Sequence, residues 1–415
     1  MPTKSEIQRQ VKRKQRAKSK RQKFGKVIGI ILAVILVVGG SAVAVIYGSN
    51  IYKTNKEIEI LKENKLYNPI EIDDGKSITV AISGNNKSKY TVVTIADVNV
   101  HDYSVFVQHM TNSLNKQLQI ALIDRAGIGI SDDSKQEQTV EQIISDYRSA
   151  LTKADVKGKY ILLAHGFGSV YATYWQMEYP DEVAGVIYLN GLEILDDHQI
   201  DNYEVTPNDK ITSVLCDLGF QRLLYKDLYS YAAKSITQSE AECAKYLHTN
   251  NIKSNASLSE MALMKENYET VLNMLKKTDI PKVYLSSINA FRTEDEVTEY
   301  FKYMNEVHEN KELEQYFDFN RNEKEIAKEI SDFINNCTKK YENETVKFVD
   351  ALGNCHLSKM PGDEKIYEYR PDGITGLISD FVLYLEGQIG EMEEYYSDTT
   401  RDKWEDYFNS QQGKK

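Results

Sequence analysis

The sequence has 415 residues and a formal net charge of −11, but the charge is unevenly divided. Of its 51 Lys/Arg and 62 Asp/Glu, residues 1–26 hold 11 basic groups and one acid, Glu6, which leaves 40 basic and 61 acidic groups in the other 389. So acidic a body repels phosphate, which argues against nucleic-acid binding by it, and the length suits one large domain with an insertion, or two domains.

The basic head runs straight into residues 27–47, VIGIILAVILVVGGSAVAVIY, which carry no charge. As a helix at ~1.5 Å per residue this run reaches about 31 Å, enough to cross the hydrocarbon core of a bilayer. Residues 1–26 are then a cytoplasmic tail drawn to anionic lipid headgroups, 27–47 a single transmembrane helix, and the rest extracytoplasmic. The rival is a cleaved secretory signal, for which Ala42-Val43-Ala44 offers a processing site. The apolar run continues through Val45, Ile46 and Tyr47, past the point where a signal's core ends, and this favours the anchor.

Residues 48–66 read as a polar, partly helical stalk. Strand-like runs follow at 77–83, 90–96 and 118–124, then a helix over 139–154 with Ile143, Ile144, Tyr147 and Leu151 on one face. Next come a strand at 160–165, a helix from Ser169, and a strand at 183–189. Residues 193–279 are helical in pattern, without a convincing strand. The alternation resumes with a strand at 282–288, a charged helix near 312–337, a strand at 346–352 and a closing helix at 374–387. Short apolar strands alternating with helices predict a mostly parallel sheet covered on both faces. The expected divisions are 67–192 and 280–388 for two parts of one α/β core, 193–279 for a helical cap, and 389–415 for an acidic tail.

Cys216, Cys243, Cys337 and Cys355 all fall in the exported part. They permit two disulfides in three pairings, or serve as small buried hydrophobes. No His/Cys cluster suggests a metal, and nothing points to a cofactor.

Three blocks in order carry a family resemblance: LIDRAGIGISDD at 122–133, YILLAHGFGSVYATYWQMEYPDEVAGVIYLNG at 160–191, and VDALGNCHLSKM at 349–360. They resemble the α/β-hydrolase superfamily: a D-R-x-G-x-G-x-S segment, a nucleophile elbow with the strand that follows it, and a histidine loop. The resemblance covers roughly residues 70–388 and implies an α/β-hydrolase fold with a helical cap. The family elbow reads G-x-S-x-G, with the serine on a strained turn and the next N–H in the oxyanion hole. Laid on AHGFGS, that register puts Gly166 where the serine belongs and gives the oxyanion N–H to Phe167. Glycine accepts the strained backbone but has no nucleophile. The oxyanion loop, which should follow the strand at 90–96, holds no glycine between Gly84 and Gly127.

The resemblance further assigns His356 as a retained base after the last strand, or as a leftover histidine. For the acid it offers Asn289, which lacks a carboxylate, or the late Glu294 and Asp295. Asp124 takes a structural place, and His165 is the motif histidine before the nucleophile. Ser169, in the first turn of the elbow helix, is a low-ranking substitute nucleophile whose ordinary role is local hydrogen bonding. The expected protein is a membrane-anchored, non-catalytic relative binding a small apolar ligand or a protein partner. The alternatives are an active esterase or amidase using Ser169 with His356, or chemistry that needs His356 only as a base.

Overall fold

The computed structural model describes residues 4–73, 75–196, 198–224, 236–310 and 314–397. Eight strands form one sheet: β1 (Pro69–Glu71), β2 (Ser77–Gly84), β3 (Tyr90–Ile95), β4 (Gln119–Asp124), β5 (Lys159–His165), β6 (Val183–Leu189), β7 (Thr278–Ser286) and β8 (Gly353–Lys359). Their order is β1-β2-β4-β3-β5-β6-β7-β8. The β1–β2 and β2–β4 pairs are antiparallel, and every pair from β4 through β8 is parallel. Ile95 pairs with Ala164 and His165 with Leu189, so the loops leaving β3, β5 and β6 open at one edge of the sheet.

The helices are α1 (Lys4–Glu63), α2 (Tyr103–Thr111), α3 (Val140–Lys153), α4 (Gly168–Glu178), α5 (Pro207–Asp217), α6 (Gln221–Leu224), α7 (Gln238–Thr249), α8 (Asn255–Met274), α9 (Glu294–Asn310), α10 (Glu323–Leu352), α11 (Ile366–Tyr369) and α12 (Pro371–Leu385). Strand alternation builds two cores. Val93, Ile95, Ala121, Leu162, Ala164 and Val186 face one side with α3, α4, α8 and α10. Val92, Ile120, Leu122, Ile161, Leu163 and Leu285 face the other with α2, α7, α12 and the end of α1. This two-sided burial explains why the strands read as unbroken apolar runs.

Between β6 and β7 the chain forms α5 to α8, with no strand among the described residues. Their starts are written in the sequence: Thr206 with Asp209 and Thr237 with Glu240 make reciprocal capping boxes, and Ser254 caps α8. Residues 225–235 of this segment lie outside the described residues.

Three expectations are corrected, and one left open is decided for three cysteines. Residues 346–352 are not a strand but the last two turns of α10. Thr345, Phe348, Val349 and Leu352 recur at helical spacing and are buried, and Gly353 at φ 91° then turns the chain into β8. The charged helix begins at Glu323 rather than near 312, and a separate helix, α9, precedes it. Residues 48–66 continue the same helix as the apolar run as far as Glu63, with Leu61 and Leu66 buried in the body. Cys216, Cys243 and Cys355 are free thiols, and the Cys337 side chain lies outside those described. The acidic tail is described to residue 397, where Tyr395 bridges to Lys359, and 398–415 lie outside.

Among the described residues one helical stretch, Lys26–Glu63, is long and apolar enough to cross a membrane, with its apolar window at mean hydropathy 2.8 and wholly unburied. Such a helix near the N-terminus fits an anchor or a signal sequence.

Candidate functional site

The sharpest turn at the open edge of the sheet lies between β5 and α4. Gly166 sits at its tip with φ 54°, a left-handed conformation that glycine adopts freely. Its N–H donates to Leu189 O at 3.3 Å, and its carbonyl accepts from Ser169 N and Leu192 N, both at 3.1 Å. The turn is thereby fastened to the end of β6.

A carboxylate from the neighbouring loop fills the space in front of this glycine. A Cβ on residue 166 would lie 2.9 Å from Asp97 Oδ1 and closer still to its Cγ and Oδ2, below any separation real atoms tolerate. Asp97 follows β3, and its Oδ1 accepts the N–H of Phe167 at 2.8 Å and of Val98 at 2.7 Å. Two converging backbone donors, one after the turn glycine and one after β3, thus hold an anion supplied by the protein itself.

Arg125 fixes that loop from behind. Its guanidinium donates to Ala96 O at 3.2 Å and to Asp97 O at 2.8 Å, and pairs with Glu260 through Nε–Oε2 at 3.0 Å and Nη2–Oε1 at 2.7 Å. Both side chains are 2 % exposed. Burial opposes the charge on Arg125, but Glu260 outweighs it and holds the guanidinium well above its ordinary range. Tyr171 Oη donates to Glu260 Oε1 at 2.7 Å, which ties α4 and α8 to the same pair.

The turn, the Asp97 loop and the segment after β6 enclose a cavity of about 360 Å³. Phe167, Leu192, Ile200, Met264 and Ile288 give it apolar walls. Asp97, Glu193, Glu344 and Glu364 bring four carboxylates to it, and no Lys or Arg lines it among the described residues. Glu193 Oε1 accepts from Tyr284 Oη at 2.9 Å and Thr345 Oγ1 at 2.8 Å, so β7 and α10 hold that carboxylate in place.

His165, the last residue of β5, is buried between the rings of Tyr103 and Tyr367, 5.7 and 4.9 Å away. Its Nε2 lies 2.9 Å from Glu364 O, and burial lowers its pKa although Asp97 pulls the other way. Asn190 donates to the Asp363 and Glu364 carbonyls at 2.8 and 3.0 Å. The loop after β8 is therefore laced to the turn through backbone oxygens, and its side chain at the cavity is Glu364.

The sequence candidates are scattered. His356 lies inside β8 rather than after it, paired with Val283 and packed edge-on to Tyr384 at 4.8 Å. Three strand spacings of ~4.8 Å separate β5 from β8, about 14 Å. The misplaced strand at 346–352 is the cause, because it moved the expected loop forward by one element. Ser169 is fully buried, and its Oγ accepts from Leu192 N–H at 2.9 Å and donates to Leu192 O at 3.2 Å. Neither residue lines the cavity. Glu294 and Asp295 are exposed in the first turn of α9, and Asn289 is buried after β7, accepting from Ser286 Oγ at 2.6 Å. Asp124 is buried beside Gly129, and burial raises its carboxyl to about 7. Of the named residues, Gly166, Phe167 and His165 meet at the cavity. Asp97 and Glu364 were not anticipated. The one available signal for Asp97 was an aspartate in a glycine-free loop expected to face a turn with glycine at its tip.

A mostly parallel eight-stranded sheet, wrapped by helices and carrying a sharp strand–turn–helix at its open edge, defines an α/β-hydrolase fold. The family model Hydrolase_4, described as serine aminopeptidase, S33, matches residues 93–301, half of the chain, and the chain belongs to that family. The chain is 21% identical over 365 residues to "Uncharacterized protein YbdG" of Bacillus subtilis (strain 168), covering 86% of this chain and 96% of the relative. It is 31% identical over 77 residues to "Uncharacterized protein YqjL" of the same organism, covering 19% of this chain and 30% of that one. Among solved structures, DBJA (mutant dbja delta) superposes with a TM-score of 0.50 at 13% identity, covering 77% of this chain and 99% of that one, a likeness of fold alone.

Proposed function

We propose that this chain is a membrane-anchored α/β-hydrolase-fold protein that has exchanged catalysis for ligand binding. In this reading Gly166 stands at the nucleophile position, α5 to α8 form a cap, and the cavity between cap and sheet receives a small ligand. The observation that carries it is the Asp97 carboxylate. A hydrolase keeps two backbone N–H groups free for the oxygen that becomes negative in the transition state. Here Phe167 and Val98 already hold an anion, and the same carboxylate fills the space of the missing nucleophile. The apolar walls suit a small apolar ligand, and the four carboxylates favour one with a cationic or hydrogen-bond-donating head over an anion. Residues 1–26 are cytoplasmic, the apolar part of α1 crosses the membrane, and the body lies outside.

A serine-directed fluorophosphonate tests the loss of catalysis in the full chain in detergent. No labelling is expected, nor any turnover of p-nitrophenyl esters or aminoacyl p-nitroanilides. Labelling that disappears in Ser169→Ala overturns the reading. Placement is tested separately in sealed membranes. The anchor predicts resistance to alkaline carbonate and proteolysis of the body only from the extracytoplasmic side.

A further inference from the structure

Helix α5 is amphipathic in the opposite sense from one that faces water. The residues it buries are Asp209, Ser213 and Cys216. Those it turns outward include Ile211, 60% exposed, and Val214, 58% exposed, one helical turn apart. Leu223 in α6 is 64% exposed. Outside α1 these are the most exposed large apolar side chains among the described residues. The polar interior of α5 is already satisfied: Asp209 pairs with Lys253 and caps the helix through Thr206.

The position of this ridge identifies its surroundings. Gly219, between α5 and α6, lies so near α1 that a Cβ there would stand 2.6 Å from Asn50 Cβ and 3.2 Å from Ile46 O. Arg222 then donates to Asn50 Oδ1 at 2.6 Å and Thr54 Oγ1 at 2.9 Å, and pairs with Glu57 Oε2 at 2.6 Å. Ile46 is the last but one residue of the apolar run 27–47. The junction of α5 and α6, which joins the two parts of this ridge, therefore meets α1 at and just beyond the end of that run.

We propose that Ile211, Val214 and Leu223 form a second membrane contact, dipping into the headgroup–acyl boundary of the bilayer that α1 crosses. The proposal rests on the reading of α1 as a membrane anchor. An apolar helix face is stable there and costly in water, and exposed Lys210 beside it suits the headgroup layer. Two attachments hold the body at a fixed tilt, with the cap turned toward the lipid.

The test uses the full chain in phosphatidylcholine vesicles whose acyl chains carry bromine, which quenches tryptophan on contact. Val214→Trp and Leu223→Trp are made in a Trp404→Phe background, so that the only other tryptophan is the buried Trp175, and are read as the signal above that background. Lys157→Trp, in an exposed loop before β5 and thus at the other end of the sheet, is the control. Quenching of the first two and not of the control supports the proposal. Equal quenching of all three, or of none, in chains that resist carbonate extraction overturns it while leaving the anchor intact. Extraction by carbonate overturns both readings. Two separate positions guard against one variant failing to fold.

Discussion

The carboxylate of Asp97 lies where a side chain on Gly166 would have to project, and its Oδ1 takes the N–H of Phe167. The two residues are coupled through occupied space, because glycine at 166 is what allows the aspartate to stand there. Gly166→Ser is expected to destabilise the chain by about 1–3 kcal/mol from the left-handed backbone alone, with displacement of Asp97 added. The companion change Asp97→Gly should recover part of that loss, giving a non-zero coupling energy in a double-mutant cycle followed by urea unfolding. Strictly additive effects would show that Asp97 is elsewhere in solution.

Arg125 and Glu260 form a pair with almost no solvent contact. Glu260→Gln or Arg125→Met alone leaves a buried charge uncompensated and should cost about 3–5 kcal/mol, whereas Arg125→Met with Glu260→Met should cost much less than the sum. The single changes should also loosen the Asp97 loop, since Arg125 holds its carbonyls. Hydrogen exchange at Val98 and Phe167 reads that effect directly.

Two buried groups oppose each other in their response to pH. Burial, with help from His248, pushes His101 from its ordinary 6.5 down to about 3. Between these values the unfolded chain binds the extra proton, so this group's stabilisation is full above about 6.5 and is lost as pH falls toward 3. Burial raises Asp124 from 3.8 to about 7, so the folded chain holds the proton in that window and this group's stabilisation falls as pH rises through it. The contributions of these two groups should therefore nearly cancel between about pH 4 and 6.5. Asp124→Asn should unmask a slope rising with pH and His101→Gln a slope falling with pH, each at most about 1.4 kcal/mol per unit. Denaturant midpoints measured across that range give both signs.

The free thiols Cys216 and Cys243 are buried, and burial pushes them up to about 11 and about 12. Neither should react with a maleimide at neutral pH until denaturant is added, because the thiolate is the reactive form. Mass spectrometry before and after unfolding decides this.

Much of the fold was legible because its determinants are local. The strands at 77–83, 90–96, 118–124, 160–165 and 183–189 fall within a residue or two of β2 to β6, since burial on both faces writes them as apolar runs. The failure at 346–352 has the same origin. VKFVDAL is β-branched and apolar enough for a strand, and only the helical recurrence of Phe348, Val349 and Leu352 against the core separates the two. That error carried His356 into the expected loop. Gly166 and Phe167 were placed at the turn because flanking blocks fixed the register. Asp97 was not found, since its role depends on how close two loops approach, about 70 positions apart in the chain. No periodicity records that distance.

The continuity of α1 changes what a soluble version of this protein can be. Glu57 is clasped by Arg222 at 2.6 Å, and Leu61 and Leu66 belong to the core beneath α2 and α7. The helix that emerges from the apolar run is thus a structural member of the body rather than a leash. A cut just before residue 67 would strip a wall from the folded unit and uncover its interior. A cut near residue 48 would keep that wall and remove only the apolar run and the basic residues before it.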